Sequence, residues 1–194
     1  MSNAASAFID RHIESSLGHK RAFDYGDKPY TYNDLAALAN RAGNMLKALG
    51  VMPGARVAIL LPESPAYLAT LIGAMKIGAV PVVASDAAGF AGAAKSAQLA
   101  VVHSRLLADA RSALPKEKTV VVGEAPDGHP SFVELLKAQP SSLAAQPVAS
   151  DAPALSINGE AAISHAALAA AQAKIGRLGE LLSTLANAQT ARLS

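Results

Sequence analysis

The chain of 194 residues contains no cysteine, no tryptophan and only 4% aromatic residues. Without cysteine, a disulfide framework, a thiolate metal site and a cysteine nucleophile are all excluded. Charge is also sparse: 16% of residues are charged and the formal net charge is +2. The Lys and Arg residues stand singly, with neither a basic stripe nor interleaved aromatics, so there is no electrostatic footprint for nucleic acid. No apolar run reaches the roughly 18 residues of a membrane-spanning helix, and Met1 to Gly18 has neither the basic start nor the continuous apolar centre of a signal peptide. The expectation is a cytoplasmic protein with no nucleic-acid or membrane partner. The composition is otherwise 51% hydrophobic, and alanine, the strongest helix former, supplies much of that share. A chain of this length is one domain, or one domain with an appendage, and can bury a proper core.

Periodicity organises the chain into alternating elements. Apolar residues at helical spacing run from Ala4 to Leu17, where Gly18 can end the helix. Ala22 to Tyr32 reads as two brief strands about a turn at Asp27-Lys28-Pro29. Thr31 then caps a helix whose first turn holds Asp34, and Gly50 stops it. Arg56 to Leu61 is a continuous apolar run, the pattern of a strand covered on both faces of a parallel sheet. Ser64-Pro65 opens the next helix, with proline at the first helical position, and Gly78 closes it before a strand over Val80 to Ala84. The cycle repeats with a helix near Phe90 to Gln98, a strand from Leu99 to His103, a helix from Leu106 to Leu114, a strand from Thr119 to Gly123 and a short helix from Ser131 to Ala138. This alternation predicts an α/β fold with a largely parallel sheet flanked by helices. Residues 1–139 form that unit, and the Pro/Ser/Ala-rich stretch 140–153 reads as a linker. Residues 154–194 read as a hairpin and a long C-terminal helix packing on the unit or on a partner.

Asn158-Gly159 between short apolar runs is the strongest short-range hairpin signal, since both residues tolerate the positive φ of a type I′ turn. The helix opening at Ser164 carries Leu168, Ala171, Ile175, Leu178, Leu182 and Leu185 at alternating three- and four-residue steps. That seam covers roughly two and a half heptads, short of a coiled coil. Gly176 and Gly179 weaken its middle, so two shorter helices are an alternative. Ile175, Leu178, Leu182 and Leu185 are the candidate interface, docking on the chain's own domain or on a second copy.

Three segments resemble the N-terminal part of the acyl-adenylate-forming superfamily, in particular aryl- and acyl-CoA ligases of the benzoate type. Tyr30-Thr31-Tyr32-Asn33-Asp34-Leu35 is similar to the family's T-Y-x-x-L entry into its first large helix. The stretch from Leu49 to Pro65, LGVMPGARVAILLPESP, is similar to L-G-V-x-x-G-D-x-V-A-I-x-L-P-x-S-x, with Ala55 where aspartate is usual. Gly73 to Val82, GAMKIGAVPV, is similar to G-x-x-x-A-G-A-V-x-V-P. The resemblance runs from about Ala4 to Ser104, and its residues are scaffold residues. In the family, ATP, Mg²⁺ and CoA are used through later parts: a phosphate loop of the S-G-T-T-G-x-P-K-G kind, a Y-G-x-T-E segment, an aspartate for the ribose and a lysine on a small C-terminal domain. Ser164-His165 resembles the S-H that follows the phosphate loop, but Ser156 to Ile163 holds Gly159 and nothing else of that loop.

Adenylation must neutralise the phosphates of ATP and hold a carboxylate in line with the α-phosphate. A backbone nest, a lysine and Mg²⁺ normally do this. A bare turn at Asn158 and Gly159 supplies at most a couple of N–H donors and no cation. No catalytic residue, cofactor or metal is therefore expected. His12, His19, His103, His129 and His165 lack metal-ligand spacing and read as surface or cap residues. Gly89-Phe90-Ala91-Gly92 and Gly73 to Gly78 lack the strand and spacing of a dinucleotide loop. Asp24, Asp27 and Asp34 read as a solvated turn. The expectation is a degenerate, truncated and non-catalytic ligase homologue acting in association, as a homodimer or with another protein. The alternatives are one subunit of a split AMP-forming ligase completed by another chain, and a small-molecule binder without turnover.

Overall fold

The computed structural model describes residues 3–110, 114–126, 128–170 and 175–193. The chain begins with wide helical turns over Ser6–Asp10 that continue into α1 (Arg11–Glu14). A hairpin of β1 (Arg21–Tyr25) and β2 (Lys28–Thr31) follows. Its turn is Gly26-Asp27, one step earlier than the proline suggests, because Gly26 adopts the positive φ that the reversal needs. Helix α2 (Tyr32–Ala48) starts at a complete capping box. Thr31 Oγ1 accepts from the Asp34 N–H at 3.2 Å, and the Thr31 N–H donates to Asp34 Oδ2 at 2.8 Å.

The main sheet is then wound. Strand β3 (Arg56–Leu60) leads through α3 (Pro65–Lys76), capped by Ser64, to β4 (Val80–Val83). Helix α4 (Ala87–Ala94), capped by Asp86, crosses back to β5 (Ala97–His103) on the far side of β3. A 3₁₀ turn (Ser104–Leu106) and the short α5 (Leu107–Ala110) precede β6 (Thr119–Val122), after which α6 (Phe132–Lys137) packs on α2. The helix expected from Leu106 to Leu114 is thus described only to Ala110, since residues 111–113 lie outside the described residues. Strand β7 (Pro153–Ile157) joins the sheet parallel to β4, and β8 (Ile163–Ser164) returns antiparallel to it. The order is β6-β5-β3-β4-β7-β8, so the hairpin belongs to the same sheet as the strands before residue 139.

Both faces of this sheet are covered, which explains the unbroken apolar strands. Val57, Ile59, Leu99, Val101 and Leu155 join the larger core with α2, α3 and the N-terminal turns. Ala58, Leu60, Val82, Ala100 and Val102 face a smaller cluster built on Phe90, Ala93 and Leu107.

Residues 140–152 form a strap laid along α2 rather than a loose linker. Asn40 and Asn44 donate from Nδ2 to the carbonyls of Ser141 and of Pro140 and Ser142, at 2.8–3.0 Å. The Gln146 N–H bonds the Lys76 carbonyl at 2.7 Å. An extended segment must place its carbonyls somewhere, and amide side chains of α2 donate to several of them.

The C-terminal helix is two helices. Helix α7 (His165–Ala169) is capped by Ser164, and α8 (Gly176–Ala186) starts afresh. Gly176 sits at φ +55°, a left-handed conformation that breaks α-helical continuity. The Ala171 position of the expected seam lies outside the described residues. Beyond α8 the chain turns so that β9 (Ala191–Arg192) pairs parallel with β1, completing a three-stranded sheet of order β2-β1-β9.

Candidate functional site

The hairpin turn lies at the carboxyl end of β4 and β7, the edge of a parallel sheet where ligands of α/β proteins bind. Asn158 (φ +50°) and Gly159 (φ +82°) both take positive φ, and the Glu160 N–H closes the turn on the Ile157 carbonyl at 2.9 Å. The connection between β7 and β8 is longer than this turn, spanning residues 158–162. The turn is docked rather than free. The Asn158 N–H donates to the Val83 carbonyl at 2.8 Å, and its Oδ1 accepts from the Ser85 N–H at 3.0 Å and from Ser85 Oγ at 3.1 Å. A side chain at Gly89 would place its Cβ 2.2 Å from Asn158 Oδ1, and one at Gly159 would meet the Gly92 backbone at 3.4 Å. The glycines of α4 are therefore the seat of the turn, a role that reading them as a failed dinucleotide loop missed. Beneath it, Arg56 donates to Ser156 Oγ at 3.2 Å, and that hydroxyl donates to the Glu160 carbonyl at 2.7 Å. Asp86 is occupied capping the Gly89 N–H at 2.8 Å.

The apolar stripe faces inward. Leu178 is 8% exposed, Leu182 3% and Leu185 fully buried, and Ile175 is partly buried against the same core. Leu181, off the proposed seam, is buried as well, because α8 rests in a trough that covers more than one narrow line of its surface. The N-terminal turns pack on α8 and bind its carboxyl end. His12 Nε2–H donates to the Leu185 carbonyl at 2.9 Å, Tyr32 Oη donates to the same carbonyl and to that of Gln189 at 3.0 Å, and Arg11 bonds the Ala186 carbonyl. These donors satisfy orphan carbonyls of the helix end. Burial raises the Tyr32 phenol to about 12.

The histidines divide into two groups. His103 caps the 3₁₀ turn, its Nδ1 accepting from the Arg105 N–H, and His19 is exposed. His129 lies in a partly buried loop, with Nδ1 3.3 Å from the Thr119 carbonyl. His12 and His165 are buried tertiary contacts and not surface residues. The Nδ1 of His165 accepts from the Ala4 N–H at 3.0 Å, 161 residues away, a pairing that no local pattern reveals. Lys76 is another buried polar group, donating to Asp10 Oδ1 and Asn40 Oδ1 at 2.7 Å each and so tying α3 to the N-terminal turns and α2. Glu63, after β3, pairs with Arg177 of α8 at 3.2 Å. Asp24, Asp27 and Asp34 do not converge: Asp24 pairs with Arg21 at 3.5 Å, and Asp34 serves the cap, which lowers its pKa through the Thr31 hydrogen bonds. Among the described residues no group of three or more His, Asp or Glu could hold a metal ion, and no helix is long and apolar enough to cross a membrane.

Comparison with known proteins agrees with this scaffold. The profile of the AMP-binding enzyme family matches residues 10–176. The 3-hydroxybenzoate–CoA/4-hydroxybenzoate–CoA ligase of Thauera aromatica is 41% identical over 80 residues, 41% of this chain and 15% of that protein. The acetyl-coenzyme A synthetase of Bacillus subtilis (strain 168) is 43% identical over 83 residues, 40% of this chain and 14% of its own length. The benzoate CoA ligase from Burkholderia xenovorans LB400 shares the fold, with a TM-score of 0.83 at 22% identity over 100% of this chain and 45% of that structure. The chain thus spans less than half of this solved ligase, and its matches cover about 15% of the curated ligases. With most of its length inside the profile and its sheet on the ligase scaffold, this chain belongs to the AMP-binding enzyme family.

Proposed function

We propose that this chain is a non-catalytic member of the family, an association or binding module built on the N-terminal scaffold of an aryl- or acyl-CoA ligase. One observation carries the reading: the connection between β7 and β8 is a closed turn docked on α4. In the resembling ligases this connection is the phosphate loop. Here it comprises Asn158, Gly159, Glu160, Ala161 and Ala162, and its single charge is negative, the wrong sign for a triphosphate. The N–H groups of Asn158 and Glu160 are already spent on the Val83 and Ile157 carbonyls. What is left cannot form the nest of donors plus cation that holds transferring phosphates. No ATP, Mg²⁺ or CoA site is assigned to this connection for that reason.

Carboxylate-dependent exchange of pyrophosphate into ATP, measured across aryl and fatty acids, tests the reading. The expected result is no exchange above a heat-killed control. Exchange by the chain alone overturns it. Exchange that arises only on mixing with a second chain carrying the later ligase motifs establishes the alternative, one subunit of a split AMP-forming ligase.

A further inference from the structure

His165 is fully buried, and its two ring nitrogens are in unlike positions. Nδ1 accepts a hydrogen bond from the Ala4 N–H, so the ring proton sits on Nε2, which is buried without any partner. The ring is neutral and can only be neutral while Ala4 is in place. A proton on Nδ1 would set donor against donor, and the resulting charge would be buried. His12, on the same N-terminal segment, is likewise held below the ordinary histidine value by burial, but is bonded differently. Its Nε2 donates to the Leu185 carbonyl, a bond that the doubly protonated ring keeps.

The segment that His165 holds is itself a lid. Ala4, Ala5, Phe8 and Ile9 are fully buried, and the Asn3 amide anchors the segment to the Met75 and Gln146 carbonyls at 2.7 and 3.0 Å. Beneath it lies α8. We propose that His165 is a pH-operated latch, whose protonation frees the N-terminal segment from α7 and α8 while the main sheet stays folded.

The electrostatic surroundings leave the ring to burial. Charged groups stand on every neighbouring element: Asp10, Arg11 and His12 on the segment, Asp151 on the strap, Glu160 on the hairpin, and Arg177 and Glu180 on α8. Among the described residues none contributes to the lowered pKa of His165, of which burial is the sole cause. Lys174 lies outside the described residues. The sign follows from linkage. A histidine depressed in the closed form binds its proton preferentially in the open form. Opening is therefore favoured as the pH falls below the ordinary histidine value near 6.5, and the gain continues down to the closed-state value.

Hydrogen exchange read by mass spectrometry on the full chain between pH 7.5 and 5 tests the latch, with rates corrected for the intrinsic pH dependence. Protection of peptides covering residues 3–14 should fall below pH 6.5, with the share that His165 supplies reaching at most about tenfold per pH unit, the limit for one linked proton. Peptides from β3 and β4 should keep their protection. In His165→Asn, whose Oδ1 can still accept from Ala4, the segment should lose clearly less protection than in wild type, the remainder being the share of the buried His12. Parallel loss in the segment and the sheet would mean global acid unfolding and overturn the proposal, as would an unchanged pH profile in His165→Asn. Should that variant fail to fold, the wild-type ring titration followed by NMR decides: a folded-state pKa at or above the ordinary value refutes the latch, and a depressed one supports it.

Discussion

Replacing Gly89 by alanine sets two effects against each other. Gly89 lies inside α4, where alanine in place of glycine is worth up to about 1 kcal/mol in helix propensity. The new Cβ, however, would stand 2.2 Å from Asn158 Oδ1 and 2.8 Å from its Cγ. The Asn158 side chain must swing away, and both hydrogen bonds from Ser85 are lost. Each is worth about 1 kcal/mol, so the loss outweighs the propensity gain and Gly89→Ala should be destabilised by about 1 kcal/mol. Asn158→Gly removes the obstacle at the cost of the same two bonds and keeps the positive φ. In that background Gly89→Ala should be neutral or stabilising, which gives a coupling of about 1–2 kcal/mol across the double-mutant cycle. Urea unfolding midpoints at unchanged slope measure all four proteins. A wild-type-background Gly89→Ala that is as stable as its parent, or more so, would refute the docked turn.

Two further perturbations test the scaffold. Thr31→Ala removes a complete capping box and should cost about 1 kcal/mol of stability, whereas Thr31→Ser should cost little; equal urea midpoints for Thr31→Ala and wild type would contradict the cap. Leu178→Asp/Leu182→Asp takes away two leucines whose burial is worth roughly 1.5–3 kcal/mol each and puts carboxylates in their place. Circular dichroism with light scattering should show a chain that no longer folds, because the stripe completes the chain's own core. A folded monomer derived from a wild-type dimer would instead assign the stripe to an interface, and a folded variant of unchanged mass and midpoint would make it an exposed face.

Local signals in the sequence carried much of this fold. Thr31 with Asp34, Ser64 with Pro65, and the apolar run over Arg56–Leu60 act within a few residues of themselves, and each element starts where its signal stands. Asn158-Gly159 is legible for the same reason, since the positive φ is a property of those residues. What the turn rests on is not legible, because Gly89 and Ser85 lie some 70 positions away and become its seat only when β7 joins β4. The strap over 140–152 has a linker's composition, and it becomes structure through bonds to distant residues, the asparagines of α2 and the Lys76 carbonyl among them. His12 and His165 read as surface residues because polarity is all that a lone histidine shows in sequence, while burial is decided by tertiary packing. The break at Gly176 was visible as a weak helix former, but the pairing of β9 with β1 had no signal in a two-residue strand.

Calorimetric titration of the chain with Mg-ATP tests the central claim most directly, since it asks whether the docked turn has replaced a phosphate site. The account predicts no saturable heat below about 1 mM, which corresponds to less than about 4 kcal/mol of affinity. Micromolar binding of Mg-ATP would contradict the claim that the docked turn has replaced a phosphate site, and would favour the split-ligase subunit or the small-molecule binder.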